Sequence, residues 1–160
     1  MIVAFTGHRP NKFGGYSTNN RIRARVVVAV TKWLEERMVA TELHCLTGMA
    51  QGFDQWATYA CLDLGIPYTA VIPFSGQESL WPPPSQKFYR YLVDNAKAVE
   101  NLRPAGLAHC DASFALQKRN EWMVDHCDLL LAAWDGSGGG TANCVKYAEK
   151  VGRPVERLIW

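Results

Sequence analysis

Three glycine-bearing stretches carry residue types that can hold a ligand: Thr6-Gly7-His8-Arg9-Pro10, Gly48-Met49-Ala50-Gln51-Gly52-Phe53-Asp54, and Trp134-Asp135-Gly136-Ser137-Gly138-Gly139-Gly140-Thr141. Glycine lets backbone approach a ligand closely. Where a helix follows, its free N–H groups and its dipole favour an anion. The run Gly138, Gly139, Gly140, Thr141 is the best phosphate candidate, with Thr141 adding a hydroxyl donor. The plainer reading of that run is a surface turn. Arg9 follows a glycine turn and precedes a proline, so a guanidinium fork there can grip phosphate bidentately. A surface ion pair is the alternative. His8 reads as a neutral hydrogen-bonding group rather than a general base. Asp54 could accept bonds from ribose hydroxyls, or could only cap or charge a helix start. Both readings stay open. By type alone, Arg119 in Lys118-Arg119-Asn120-Glu121 is a solvated helical charge.

These stretches need elements to position them. Short apolar runs at 2–6, 43–47, 66–72, 128–134 and 155–159 predict strands, and 96–102 is a weaker one. Helices are expected at 19–40, 53–64, 85–95, 111–126 and 141–151. Asn19 or Asn20 is the expected cap of the first, with Ile22, Val26, Val30, Trp33, Leu34 and Arg37 at helical spacing. Trp81-Pro82-Pro83-Pro84 reads as a loop, serving as a lid or a subunit contact. Strands alternating with helices imply crossover units. The expected fold is therefore α/β, a Rossmann-like three-layer sandwich with a mainly parallel sheet of five or six strands. Residues 1–160 are read as a single nucleotide-binding domain. All three glycine stretches then follow strands at the carboxyl edge, where open α/β sheets bind ligands.

Composition narrows the classes. Hydrophobic residues make up 48% of 160, enough for a sizeable core. The net charge of +2 gives no strongly basic face of the kind that marks duplex DNA binders. The cysteines (45, 61, 110, 127 and 144) are odd in number and widely spaced, against a disulfide framework or a zinc site. A reduced, cytoplasmic setting fits. No run approaches the ~18 apolar residues of a membrane helix, and no signal peptide opens the chain. No metal, cofactor or membrane partner is expected.

With these motifs in view, the sequence resembles the SLOG superfamily, named for Smf/DprA and LOG proteins, and looks closest to its YpsA-like branch. The matching stretches are Thr6 to Pro10, Gly48 to Asp54, Arg119-Asn120-Glu121-Trp122-Met123-Val124, and Trp134-Asp135-Gly136 with Gly139-Gly140-Thr141. They span nearly the whole chain. The resemblance implies a Rossmann-like fold and a site for nucleotides or nucleotide-derived ligands, and it draws Arg119 into that site. LOG enzymes cleave a base from ribose 5-monophosphate with the signature P-G-G-x-G-T-x-x-E. Aligned on Gly140-Thr141, the glutamate position falls on Cys144. A neutral thiol cannot stabilise the oxocarbenium character of that reaction as a carboxylate does. Asp54, Asp135 or Glu121 would have to substitute.

The expectation is a protein that binds or senses a nucleotide-derived ligand, ADP-ribose-like or a nucleoside monophosphate. The ligand residues are Gly7, His8, Arg9, Gly48, Gly52, Asp54, Arg119, Asp135, Gly138, Gly139, Gly140 and Thr141. The alternative is a nucleotide N-glycosidase, phosphoribohydrolase or deoxyribosyltransferase with Asp54, Arg119 and Asp135 as catalytic groups. Single-stranded DNA binding through Lys87, Tyr89, Arg90 and Tyr91 is a further reading, though nucleic acid is not the expected partner. A homodimer is expected because related folds self-associate.

Overall fold

The computed structural model describes residues 1–103 and 112–160. Strands are β1 (Ile2–Gly7), β2 (His44–Thr47), β3 (Tyr68–Ile72), β4 (Ala98–Asn101), β5 (Leu129–Ala133) and β6 (Val155–Arg157). Helices are α1 (Arg21–Met38), α2 (Phe53–Asp63), α3 (Pro83–Asp94), α4 (Ala112–Asp125) and α5 (Gly140–Lys150), with a 3-10 turn at Pro10–Phe13. Residue 111, the expected start of α4, and Cys110 lie outside the described residues.

The strands form one sheet in the order β4-β3-β2-β1-β5-β6. Every pairing is parallel, as helical crossovers require. The chain lays β1 to β4 outward in one direction, then returns to place β5 on the other side of β1. The strand order thus reverses between β1 and β5, the crevice where doubly wound sheets bind ligands.

Side-chain alternation builds the layers. In β1, Val3 and Phe5 point to one face and Ala4 to the other, the period of two that a pleated strand imposes. Val3 and Phe5 meet Val26, Val30 and Leu34 of α1 and Phe53 and Ala57 of α2. The i, i+4, i+8 spacing of the α1 trio puts one stripe against the sheet. Tyr89 and Leu92 of α3 pack with Ala70 and Ile72 of β3. Across the sheet, Ala4, Leu130 and Ala132 meet Met123 and Val124 of α4 and Val145 and Ala148 of α5.

One local reading needs correction. Pro83 and Pro84 are not loop but the first turn of α3. First-turn positions have no intrahelical N–H bond to lose, and the fixed proline φ suits a helix start. Ile22 lies on α1 but is exposed rather than on its buried stripe. At the start of α1, Asn20 is the cap, its Oδ1 accepting from the N–H of Ile22 at 2.9 Å and of Arg23 at 3.3 Å.

Candidate functional site

The β1 end is tied to both neighbouring loops. His8 N–H donates to the Ala133 carbonyl at 3.2 Å, and the His8 carbonyl accepts from Phe53 N–H at 3.3 Å. Those bonds draw the three glycine stretches together at the switch point. Between them lies a cavity of about 250 Å³ whose lining includes Gly7, His8, Arg9, Asp54, Arg119 and the run Gly138 to Thr141. The convergence expected of Arg9, Asp54 and Gly140 is what the structure contains.

One wall is the start of α5. Gly139 is its N-cap at φ 132°, a conformation that favours glycine. No side chain caps this helix, and its start, Gly138 to Thr141, lines the cavity. Thr141 lines the same wall. Arg9 and Lys12 come from the turn after β1 and give the cavity cationic groups.

The floor holds a buried acid and a buried base. Asp54 is raised above the usual carboxylate range, burial outweighing the nearby Arg119 and Arg9 charges. Its Oδ2 accepts one long bond from Ala50 N–H at 3.4 Å. Arg119 is buried and lowered by desolvation, with Asp54 opposing that shift. Its Nε donates to Asn120 Oδ1 at 2.8 Å, and its Nη1 donates to the Gly48 carbonyl. Neither bond uses Nη2. The helical-charge reading of Arg119 is thus wrong; it is a fixed guanidinium at the cavity floor.

Asp135 sits at the rim. His8 Nε2 lies 2.7 Å from its Oδ1, and Ser137 N–H donates to the same oxygen at 2.8 Å. Ser137 first, then His8, hold this carboxyl well below the usual range. The carboxylate fixes the His8 ring by its Nε2 side, in keeping with a hydrogen-bonding His8.

Not every expected residue reaches the cavity. Gly48, Gly52 and Asp135 are absent from the described lining. Gly48 acts through its carbonyl and its lack of a side chain: a Cβ there would lie 2.8 Å from Arg119 Nε and nearer still to its Cζ and Nη1. Asn11, Lys12, Ala50, Leu116 and Asn120 line the cavity without having been singled out as ligands. Gln77 was also missed; its buried Nε2 donates to the Gly48 carbonyl at 3.2 Å, beside Arg119. Only tertiary structure brings it there. Met49, buried in the same loop, has φ 58°, a strained position of the kind that collects at functional sites.

Cys144 cannot serve as an anion. Burial pushes its thiol up to about 12, and it packs among Ala4, Val145 and Ala148. Glu121 pairs with Lys118 at 2.7 Å and is not part of the described lining. The stacking reading of α3 also fails at Tyr89, which is buried edge-on against Trp81 at 5.5 Å.

A family model described as the YspA SLOG family matches residues 3–153. The chain belongs to the YspA SLOG family. This chain is similar to an uncharacterised SPbeta prophage-derived protein, YoqJ, of Bacillus subtilis, 31% identical over 71% of this chain and 74% of its own length. A UPF0398 protein of Halalkalibacterium halodurans is 25% identical over 88% of this chain and 75% of its own. Among solved structures, DNA processing protein A of Streptococcus pneumoniae superposes with TM-score 0.67 at 23% identity, covering 98% of this chain. This SLOG chain spans about half of that protein, 49% of its length. The Helicobacter pylori DNA processing protein A gives TM-score 0.65 at 15% identity over 100% of this chain and 66% of its own, and was solved for its single-stranded DNA binding mode. These identities establish a shared fold. The expectation against nucleic acid gains no support from them. Among the described residues no helix is long and apolar enough to cross a membrane.

Proposed function

We propose that this SLOG protein binds a nucleotide or nucleotide-derived anion in the cavity at the β1/β5 crevice, without LOG-type cleavage. One observation carries the reading: Arg9, the uncapped start of α5 and the buried Asp54–Arg119 floor all line the same cavity. The phosphate belongs at Gly138 to Thr141 with Arg9. Asp54, whose carboxylate meets the backbone N–H groups of Ala50 and of its own residue, then takes further donors from a sugar diol. Gly7, His8 and Arg119 complete the walls, while Gly48, Gly52 and Asp135 hold them in place. The buried thiol of Cys144 stands where a LOG glutamate would supply the carboxylate.

Thermal denaturation with a panel of nucleotides and ADP-ribose tests this. A ligand at about 100 times its Kd adds about 2.7 kcal/mol, on the order of 5–10 °C for a domain of this size. Asp54→Asn is expected to weaken ribose 5-phosphate by about tenfold, the loss of charge-assisted bonds. Inorganic phosphate should bind the variant as before. Equal loss for both would remove the diol role, and no shift with any panel member would remove the reading.

A second reading is turnover, favoured by the raised carboxyl of Asp54 in a cavity. Free base released from a nucleoside monophosphate, and abolished by Asp54→Asn, would establish it. Light scattering tests the homodimer.

A further inference from the structure

Behind the turn at Pro10–Phe13 lies a second cavity of about 330 Å³, walled by Tyr16, Arg23, Gln51, Trp56 and Phe88. The turn at Pro10–Phe13 contributes lining residues to both cavities. Arg9, Asn11 and Lys12 line the first, while Pro10 and Gly52 line the second. The second therefore opens among the starts of α1, α2 and α3, away from the β1/β5 crevice.

Its chemistry differs from the first. No described lining residue is acidic, whereas the first cavity holds Asp54. Arg23 lies with its guanidinium 5.6 Å from the Trp56 ring centroid. It has no carboxylate partner within ion-pair distance among the described residues. A cation without a counter-charge in a concave site attracts an anion. The remaining walls suit a flat ring. Trp56 is anchored from behind by Phe13 at 5.3 Å, Phe88 is supported by Tyr59 at 6.1 Å, and Tyr16 stands 63% exposed at the mouth. The Gln51 amide offers both a donor and an acceptor to a heteroaromatic edge. Rings with arginine planes form the usual bed for a base.

We propose that this cavity is a second binding site, for a ring-bearing anion of the nucleotide class, separate from the crevice site. The ring enters between the half-buried Phe88 and the exposed Tyr16, reaching only the edge of the buried Trp56, and the anionic group meets Arg23. The same unit occurs in a free mononucleotide and in a single-stranded nucleic acid. The proposal does not depend on what occupies the crevice.

Titration of the full chain followed by nuclear magnetic resonance tests it, with AMP, ribose 5-phosphate and a short thymidine oligonucleotide as probes. AMP should move the Trp56 indole N–H and the Gln51 side-chain amide, and ribose 5-phosphate, which has no ring, should not. Arg23→Ala should weaken that response by about tenfold and leave signals from the Gly139 region unchanged. Arg23→Gln, which keeps most of the stem, is read in parallel and should show the same loss. Arg9→Ala should do the opposite, so failure of the crevice reading stays distinct from failure here. A response to the oligonucleotide alone supports the site with a strand as its source. Trp56 and Gln51 signals unmoved by AMP and oligonucleotide, or responses indifferent to both Arg23 variants, overturn it.

Discussion

Arg119 and Gly48, 71 residues apart, share one hydrogen bond on which the cavity floor depends: the guanidinium Nη1 donates to the Gly48 carbonyl. Gln77 donates to the same oxygen. Helix α4, the β3–α3 loop and the β2–α2 loop thereby converge on one backbone atom.

Gly48→Ala should break this arrangement. A Cβ would stand within 2.8 Å of Arg119 Nε, against a buried group with little room to move. The expected cost is about 1–3 kcal/mol, the range for overpacking. Chemical denaturation measures that loss, and nucleotide affinity should fall more than tenfold. An alanine variant with native stability and affinity would show that Arg119 is free to relocate.

Acid stability should report on Asp135. Ser137 and His8 lower its carboxyl in the folded state. Its contribution is therefore complete above the unfolded value of about 3.9 and fades as pH falls through the lower folded value. Asp135→Asn should be less sensitive to acid below about pH 4 than the parent chain. Acid unfolding curves followed by circular dichroism compare the two, and parallel curves would contradict the assignment.

Asn20 both caps α1 and holds the turn that carries Arg9. Besides its cap bonds, its Nδ2 donates to the carbonyls of Phe13 and Gly15, the latter at 3.1 Å. Asn20→Ala should cost about 1–2 kcal/mol, toward the upper end for a cap. Because the 10–15 turn loosens with it, phosphate affinity should fall too. Asn20→Ser restores the cap but not the two donors. It should recover stability while affinity stays low, as melting and calorimetric titration will show.

The sequence by itself determined the α/β class, the alternation of elements and the edge on which the glycine stretches lie. Those are local properties: apolar runs, caps and glycines act over a few residues. Most of the helix boundaries were legible for the same reason, and Asn20 was readable as a cap. The proline run misled because position within a helix, not proline content, decides whether proline is tolerated. Only tertiary structure decided that β5 returns beside β1, since strand order is set by which faces bury together. That return brings Asp135 to His8 and the start of α5 to Arg9. It also turns Arg119 from a surface charge into a buried guanidinium and closes Cys144 into the core, while the β2–β3 pairing brings Gln77 to Gly48. Desolvation at each of those groups comes from residues far away in the chain, so no local pattern could announce it.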